Sequence, residues 1–148
     1  MSRALALKAV AAWGVLLAVM IANGLLRVVV LQQRLGEDAA RQASSVLGAC
    51  LVLALSGIFV RRLPDPAPGP LVRVGLLWGA LTLAFELGFG HYVSGQSWET
   101  LLADYDLAAG RLWPLVLAAT VAGPWLWGVA LRGGRPWSGE KTTRAASA

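Results

Sequence analysis

The chain has 148 residues, 57% of them hydrophobic and only 14% charged, with a formal net charge of +5. A soluble domain carries nearer ~25% charged residues, so this chain lacks the polar surface to live in water, and a lipid bilayer is its expected solvent. The basic residues flank apolar runs instead of forming a stripe, which argues against nucleic acid, and a single cysteine (Cys50) with a single histidine (His91) excludes an internal disulfide and a clustered His/Cys metal site.

Four apolar runs follow one another, at about 9–31, 43–60, 71–90 and 112–131. Crossing the hydrocarbon takes about 20 apolar helical residues, and only helices or closed barrels satisfy the backbone there. The expected fold is therefore all-α: an integral-membrane four-helix bundle over 1–132, followed by a disordered basic tail over 133–148. No cofactor is expected. In the first run, Arg3 and Lys8 ahead of an apolar core also fit a secretory signal. The run continues through Leu25, Leu26, Val28, Val29 and Val30 without a small-x-small cleavage site, so it is read as a retained span. Within it, Asn23 and Arg27 lie one turn apart on one face.

The second run is short, and reaches the lower length limit only when extended back to residues 42 or 43. Between it and the third, RRLPDPAPGP alternates prolines at 64, 66, 68 and 70. This pattern favours an extended, stiff linker.

The third run contains LAFELGFGHYV, a glutamate among apolar residues. Helical steps from Glu86 pass through Gly75, Gly79, Thr82 and Gly90. Small residues at this spacing let helices approach closely, so the Glu86 face is expected to point into the bundle. In alternating topology the ends of spans one and three share a side. Arg27 and Glu86 each lie four residues before a span end, about 6 Å deep at ~1.5 Å per residue. Pairing them would offset the ~2.5–3.5 kcal/mol that an ionised side chain costs at mid-bilayer, a cost that falls toward the interface. The competing readings are a structural ion pair that sets helix register and a polar pocket opening outward. The pocket would gather Asn23, Arg27, Thr82 and Glu86 with His91, Asp104, Tyr105 and Arg111.

Between runs three and four, SWETLLADYDLAAG sets Trp98, Leu101, Leu102 and Tyr105 on one helical face. Ser97 suits the N-cap and Gly110 the stop. A short amphipathic helix over 97–109 is expected at the membrane surface, either sealing the bundle or covering a site. In the last run Pro124 removes a backbone donor and crowds the carbonyl of Thr120, so a kink is expected.

Orientation follows from the basic residues. Arg3, Lys8, Arg61, Arg62, Arg73, Arg132, Arg135, Lys141 and Arg144 fall on the side of the termini, against Arg34, Arg41 and Arg111 on the other. Basic residues are retained in the cytoplasm, which places both termini there in a multi-pass cell-membrane protein.

The segment FELGFGHYVSGQSWETLLADYDLAAGRLWPLVL resembles a recurring pattern in a group of small, functionally uncharacterised bacterial integral-membrane proteins with four predicted spans. Phe85, Glu86, Gly88, Trp98, Leu101, Leu102, Asp104, Tyr105, Gly110 and Arg111 carry the resemblance, with Arg27 of GLLR. It implies a bacterial inner-membrane protein and brings no activity with it. Nucleophile–base spacing, HExxH and Walker motifs are all lacking, so an enzyme is not expected. The favoured function is a noncatalytic accessory or assembly partner of a larger membrane protein. The alternative is an outward-facing transporter or channel subunit that uses the Arg27–Glu86 cluster. It would be oligomeric, because four short spans seldom enclose a path alone.

Overall fold

The computed structural model describes residues 1–103, 105–106 and 110–133. Among them all regular structure is helical. Four helices are long and apolar enough to cross a membrane: Arg3–Leu35, Glu37–Arg61, Pro68–Val93 and Trp113–Arg132. They are called spans one to four below. Asp104, and the expected basic tail from residue 134 onward, lie outside the described residues.

Spans one to three are longer than their apolar runs, and the reasons are local. Span one opens with α1 (Arg3–Leu26), where Ser2 Oγ accepts the Leu5 N–H at 3.2 Å. It continues through a π-helical turn at Arg27–Leu31 and closes with α2 (Gln32–Leu35). Gly36, at φ 80°, then turns the chain. Span two, α3 (Glu37–Arg61), starts directly after it. Glu37 and Asp38 suit the positive helix N-terminus, and Glu37 pairs with Arg41 at 2.6 Å one turn on. The expected outer loop between these spans therefore shrinks to one glycine, and Arg34 and Arg41 are helical.

The proline segment also differs from the stiff linker expected for it. Pro68 and Pro70 lie in the first turn of α4 (Pro68–Gly88), where a missing N–H costs nothing. A second π-helical turn, Phe89–Val93, ends span three. The expected surface helix over 97–109 is described as helix only at α5 (Trp98–Ala103), with Ser97 Oγ accepting the Thr100 N–H at 3.2 Å. Span four lies within α6 (Trp113–Gly133), which runs through Pro124 without interruption.

Small residues decide the packing. Spans two and four meet where Ser56 fills the space beside Gly123 and the Trp127 indole that beside Gly57. Gly75 lies against the Val121 carbonyl and Gly79 against its side chain. Span one is held more loosely. Only 11% of its apolar window is buried inside the protein, against 44% for span two.

Indole N–H groups tie the spans together, since a tryptophan packed between helices needs an acceptor for its N–H. Trp78 donates to the Ala9 carbonyl at 2.8 Å, Trp13 to Thr82 Oγ1 at 3.1 Å, and Trp127 to the Leu53 carbonyl at 2.8 Å. Trp78 is fully buried, its ring 5.3 Å from that of Phe59.

These contacts set up a matched test. A methyl group at Gly75 would collide with backbone, whereas one at Gly14 would meet nothing within 4 Å. Gly75→Ala is expected to lower unfolding stability in detergent by about 1–3 kcal/mol through overpacking. Gly14→Ala should be neutral or stabilising by up to ~1 kcal/mol. Equal effects at the two positions would contradict the close approach of spans three and four.

Candidate functional site

The end of the bundle where spans one and three finish and span four begins holds a partly open cavity of about 270 Å³. Arg27 of span one lines it, with Phe85, Glu86 and Gly90 of span three. Leu101 and Tyr105 from the connecting segment and Trp113 from the start of span four complete the wall. The glycine stripe explains how the connecting segment reaches this end. Leu101 occupies the space that a side chain at Gly90 would take. Leu101 is 9% exposed while Leu102 is 62% exposed, so the two leucines of the expected apolar face separate.

Glu86 is the centre of the polar arrangement. Its Oε2 accepts the Tyr105 hydroxyl at 2.8 Å and the Trp113 indole N–H at 2.9 Å. Two donors from two other elements thus converge on one oxygen, stitching the connecting segment and span four to span three. The expected Arg27–Glu86 ion pair is not formed. Arg27 lines the same cavity, but its Nε is buried without a hydrogen-bond partner. The neutral donors reach the carboxylate because Tyr105 and Trp113 stand directly over it, while Arg27 belongs to the loosely attached span.

The other expected residues divide between the cavity and the scaffold. Tyr105 is at the site. Asn23 is buried against span two, donating from Nδ2 to the Ser44 carbonyl at 3.0 Å, with its Oδ1 unpartnered. It fastens spans one and two together. Thr82 accepts from Trp13 and lines a second cavity just below the first. His91 stacks on Trp98 with ring centroids 4.1 Å apart, and its Nδ1 lies 2.9 Å from the Gln96 carbonyl, to which it donates in the matching tautomer. It braces the turn that leads to α5. Arg111 lies in the approach to span four, its backbone N–H donating to the Asp106 carbonyl at 3.2 Å. Asp104 lies outside the described residues.

Two features escape the sequence reading. Trp113 is one, since a tryptophan at a span end ordinarily reads as an interfacial anchor. The only available signal was its position at the level of Glu86. The pair of π turns is the other. Arg27 opens the first, and Glu86 lies one turn before the second. Such turns rotate the residues beyond them relative to an α-helix and recur at functional sites.

The second cavity, of about 150 Å³, lies between spans one, three and four. Phe85, Glu86 and Trp113 line both cavities and so form their common wall. No family model, curated protein or solved structure matches the chain.

The converging donors make a direct expectation. Tyr105→Phe and Trp113→Phe each remove one hydrogen bond to Glu86 and should each destabilise the detergent-solubilised protein by about 1–3 kcal/mol. Because the donors share an acceptor, the double variant should fall short of additivity or exceed it measurably. Trp125→Phe, at an exposed position of span four, serves as the reference. Effects no larger than that reference would contradict the arrangement.

Proposed function

We propose that the chain is a noncatalytic accessory protein of a bacterial inner membrane, with both termini in the cytoplasm. Its working part is the Arg27 chamber at the outer end. One observation carries this reading. Arg27 presents a cation to a cavity, its Nε is buried without a partner, and the chain's own candidate counter-ion, Glu86, is engaged by Tyr105 and Trp113. Arg27 as a whole is half-buried, and it is the Nε–H that lacks a partner, a donor that costs free energy while it stays unsatisfied. Intramembrane basic residues generally face a cavity and pair there. The counter-charge is therefore supplied by a neighbouring molecule, which is what an accessory protein requires: an interaction it cannot complete alone.

The shared wall between the two cavities favours a second reading, an oligomeric outward-facing transporter or channel subunit. In that case Glu86 and Trp113 would separate two compartments of a path. Proteoliposome flux distinguishes the readings. The accessory role predicts no flux of small acids above that of empty vesicles, whereas a transporter gives flux that Arg27→Gln abolishes.

Two experiments test the proposal itself. In a Cys50→Ser background, an impermeant thiol reagent applied to intact cells should label Ser94→Cys and miss Ser147→Cys; the reverse pattern contradicts the orientation. Native mass spectrometry of protein released from its own membrane should show an acidic molecule bound to wild type. Occupancy should fall about tenfold or more in Arg27→Gln, the loss expected for a charge-assisted contact. Equal occupancy in both proteins would overturn the reading.

A further inference from the structure

We propose that the group received at Arg27 is the acidic head of an amphiphile, a phosphate or a carboxylate, and that its acyl chain lies in the second cavity between spans one, three and four. This rests on the Arg27 chamber being a binding site and adds what binds there.

The second cavity is built for hydrocarbon. Leu16, Leu17, Met20 and Ile21 line it from span one, Phe85 from span three and Val116 from span four. The polar side chains on its wall are already engaged. Thr82 Oγ1 accepts the Trp13 indole N–H, Thr120 Oγ1 donates to the Val116 carbonyl at 2.8 Å, and Glu86 accepts from Tyr105 and Trp113. A buried water needs two to four polar partners, and an apolar cavity near 150 Å³ stays dry and takes a guest the size of benzene. Several methylenes of a chain meet that description.

The chamber above has the opposite character. Arg27, Ser94 and Gln96 line it beside Glu86 and Tyr105. At about 270 Å³ it is near the lower end for small-molecule sites, a size suited to a single headgroup. A cation with an unpartnered Nε selects an anion, and its guanidinium fork matches phosphate or carboxylate. Head and tail sites adjoin at Phe85, Glu86 and Trp113, which puts both within reach of one amphiphile.

Span one supplies the entry. Its ties to neighbouring spans lie at Ala9 and Trp13 on one side of the second cavity and at Asn23 on the other. Between them, Leu16 to Ile21 meet the cavity through apolar contact, and Ile21 is 49% exposed on the outer face. A chain can slide in from the bilayer along this seam without breaking a hydrogen bond.

The test uses the full chain in phosphatidylcholine nanodiscs, with binding read by native mass spectrometry. The probes are phosphatidic acid, palmitate and inorganic phosphate. Wild type should bind one equivalent of an acidic amphiphile and exclude phosphatidylcholine. Arg27→Gln should weaken it about tenfold or more. Leu17→Trp and Ile21→Trp fill the second cavity from different sides, and Ile21 sits where a larger side chain is tolerated. At least one should fold, by circular dichroism and gel filtration, and should weaken amphiphile binding about tenfold while leaving phosphate binding unchanged. Preference for phosphatidic acid names a phospholipid as the source, and preference for palmitate a free acid. If the cavity-filling variants bind amphiphile as wild type does while Arg27→Gln does not, the chamber stands and the acyl-chain site is overturned. If Arg27→Gln changes nothing, both fall.

Discussion

One carboxylate oxygen organises the end of the bundle where spans one and three finish and span four begins. Glu86 Oε2 draws the Tyr105 hydroxyl and the Trp113 indole N–H to a single point. The connection between spans three and four is pinned by that convergence, with Leu101 seated beside Gly90 as its apolar counterpart. The donors are neutral. They engage Oε2 from two other elements, while the cation on the neighbouring span lines the same cavity. Had Arg27 paired with Glu86 directly, the chamber would be closed by an internal ion pair. Both residues line the cavity, but it is Glu86 that holds the connecting segment and span four in place.

The same rule governs the body of the bundle. The indole N–H groups of Trp13, Trp78 and Trp127 find acceptors across span boundaries. Glycine and serine provide the close approaches of span four to spans two and three, with the Trp127 indole seated against Gly57. Span one departs from this economy. It is tied at Ala9, Trp13 and Asn23 and otherwise rests on apolar contact, and the second cavity lies beside it.

Much of this was legible in the residues. Apolar run lengths give four membrane-length helices, and the four-residue spacing from Gly75 to Gly90 gives the inward face of span three. Span ends were less legible, because capping outweighs hydropathy there. Gly36 with Glu37 and Asp38 extends span two into polar sequence, and Pro68 starts span three inside what composition reads as a linker. The pairing of charges was the least legible. Matched depth and opposite sign make Arg27 and Glu86 natural partners on paper, but depth along an axis says nothing about azimuth. Trp113 was hidden for a related reason, since an interfacial anchor and a hydrogen-bond donor to a buried carboxylate have the same sequence signature.

The central claim is that the Arg27 guanidinium is completed by an anion from outside the chain. The most direct measurement is the ¹⁵N resonance of Arg27 Nε in selectively labelled protein in phosphatidylcholine nanodiscs, followed as acidic amphiphile is added. The account predicts a shift of the Nε–H signal that saturates at one equivalent, with slowed exchange of its proton, and no change when more phosphatidylcholine is added instead. A resonance that does not move, or one already protected from exchange before any anion is present, would contradict it.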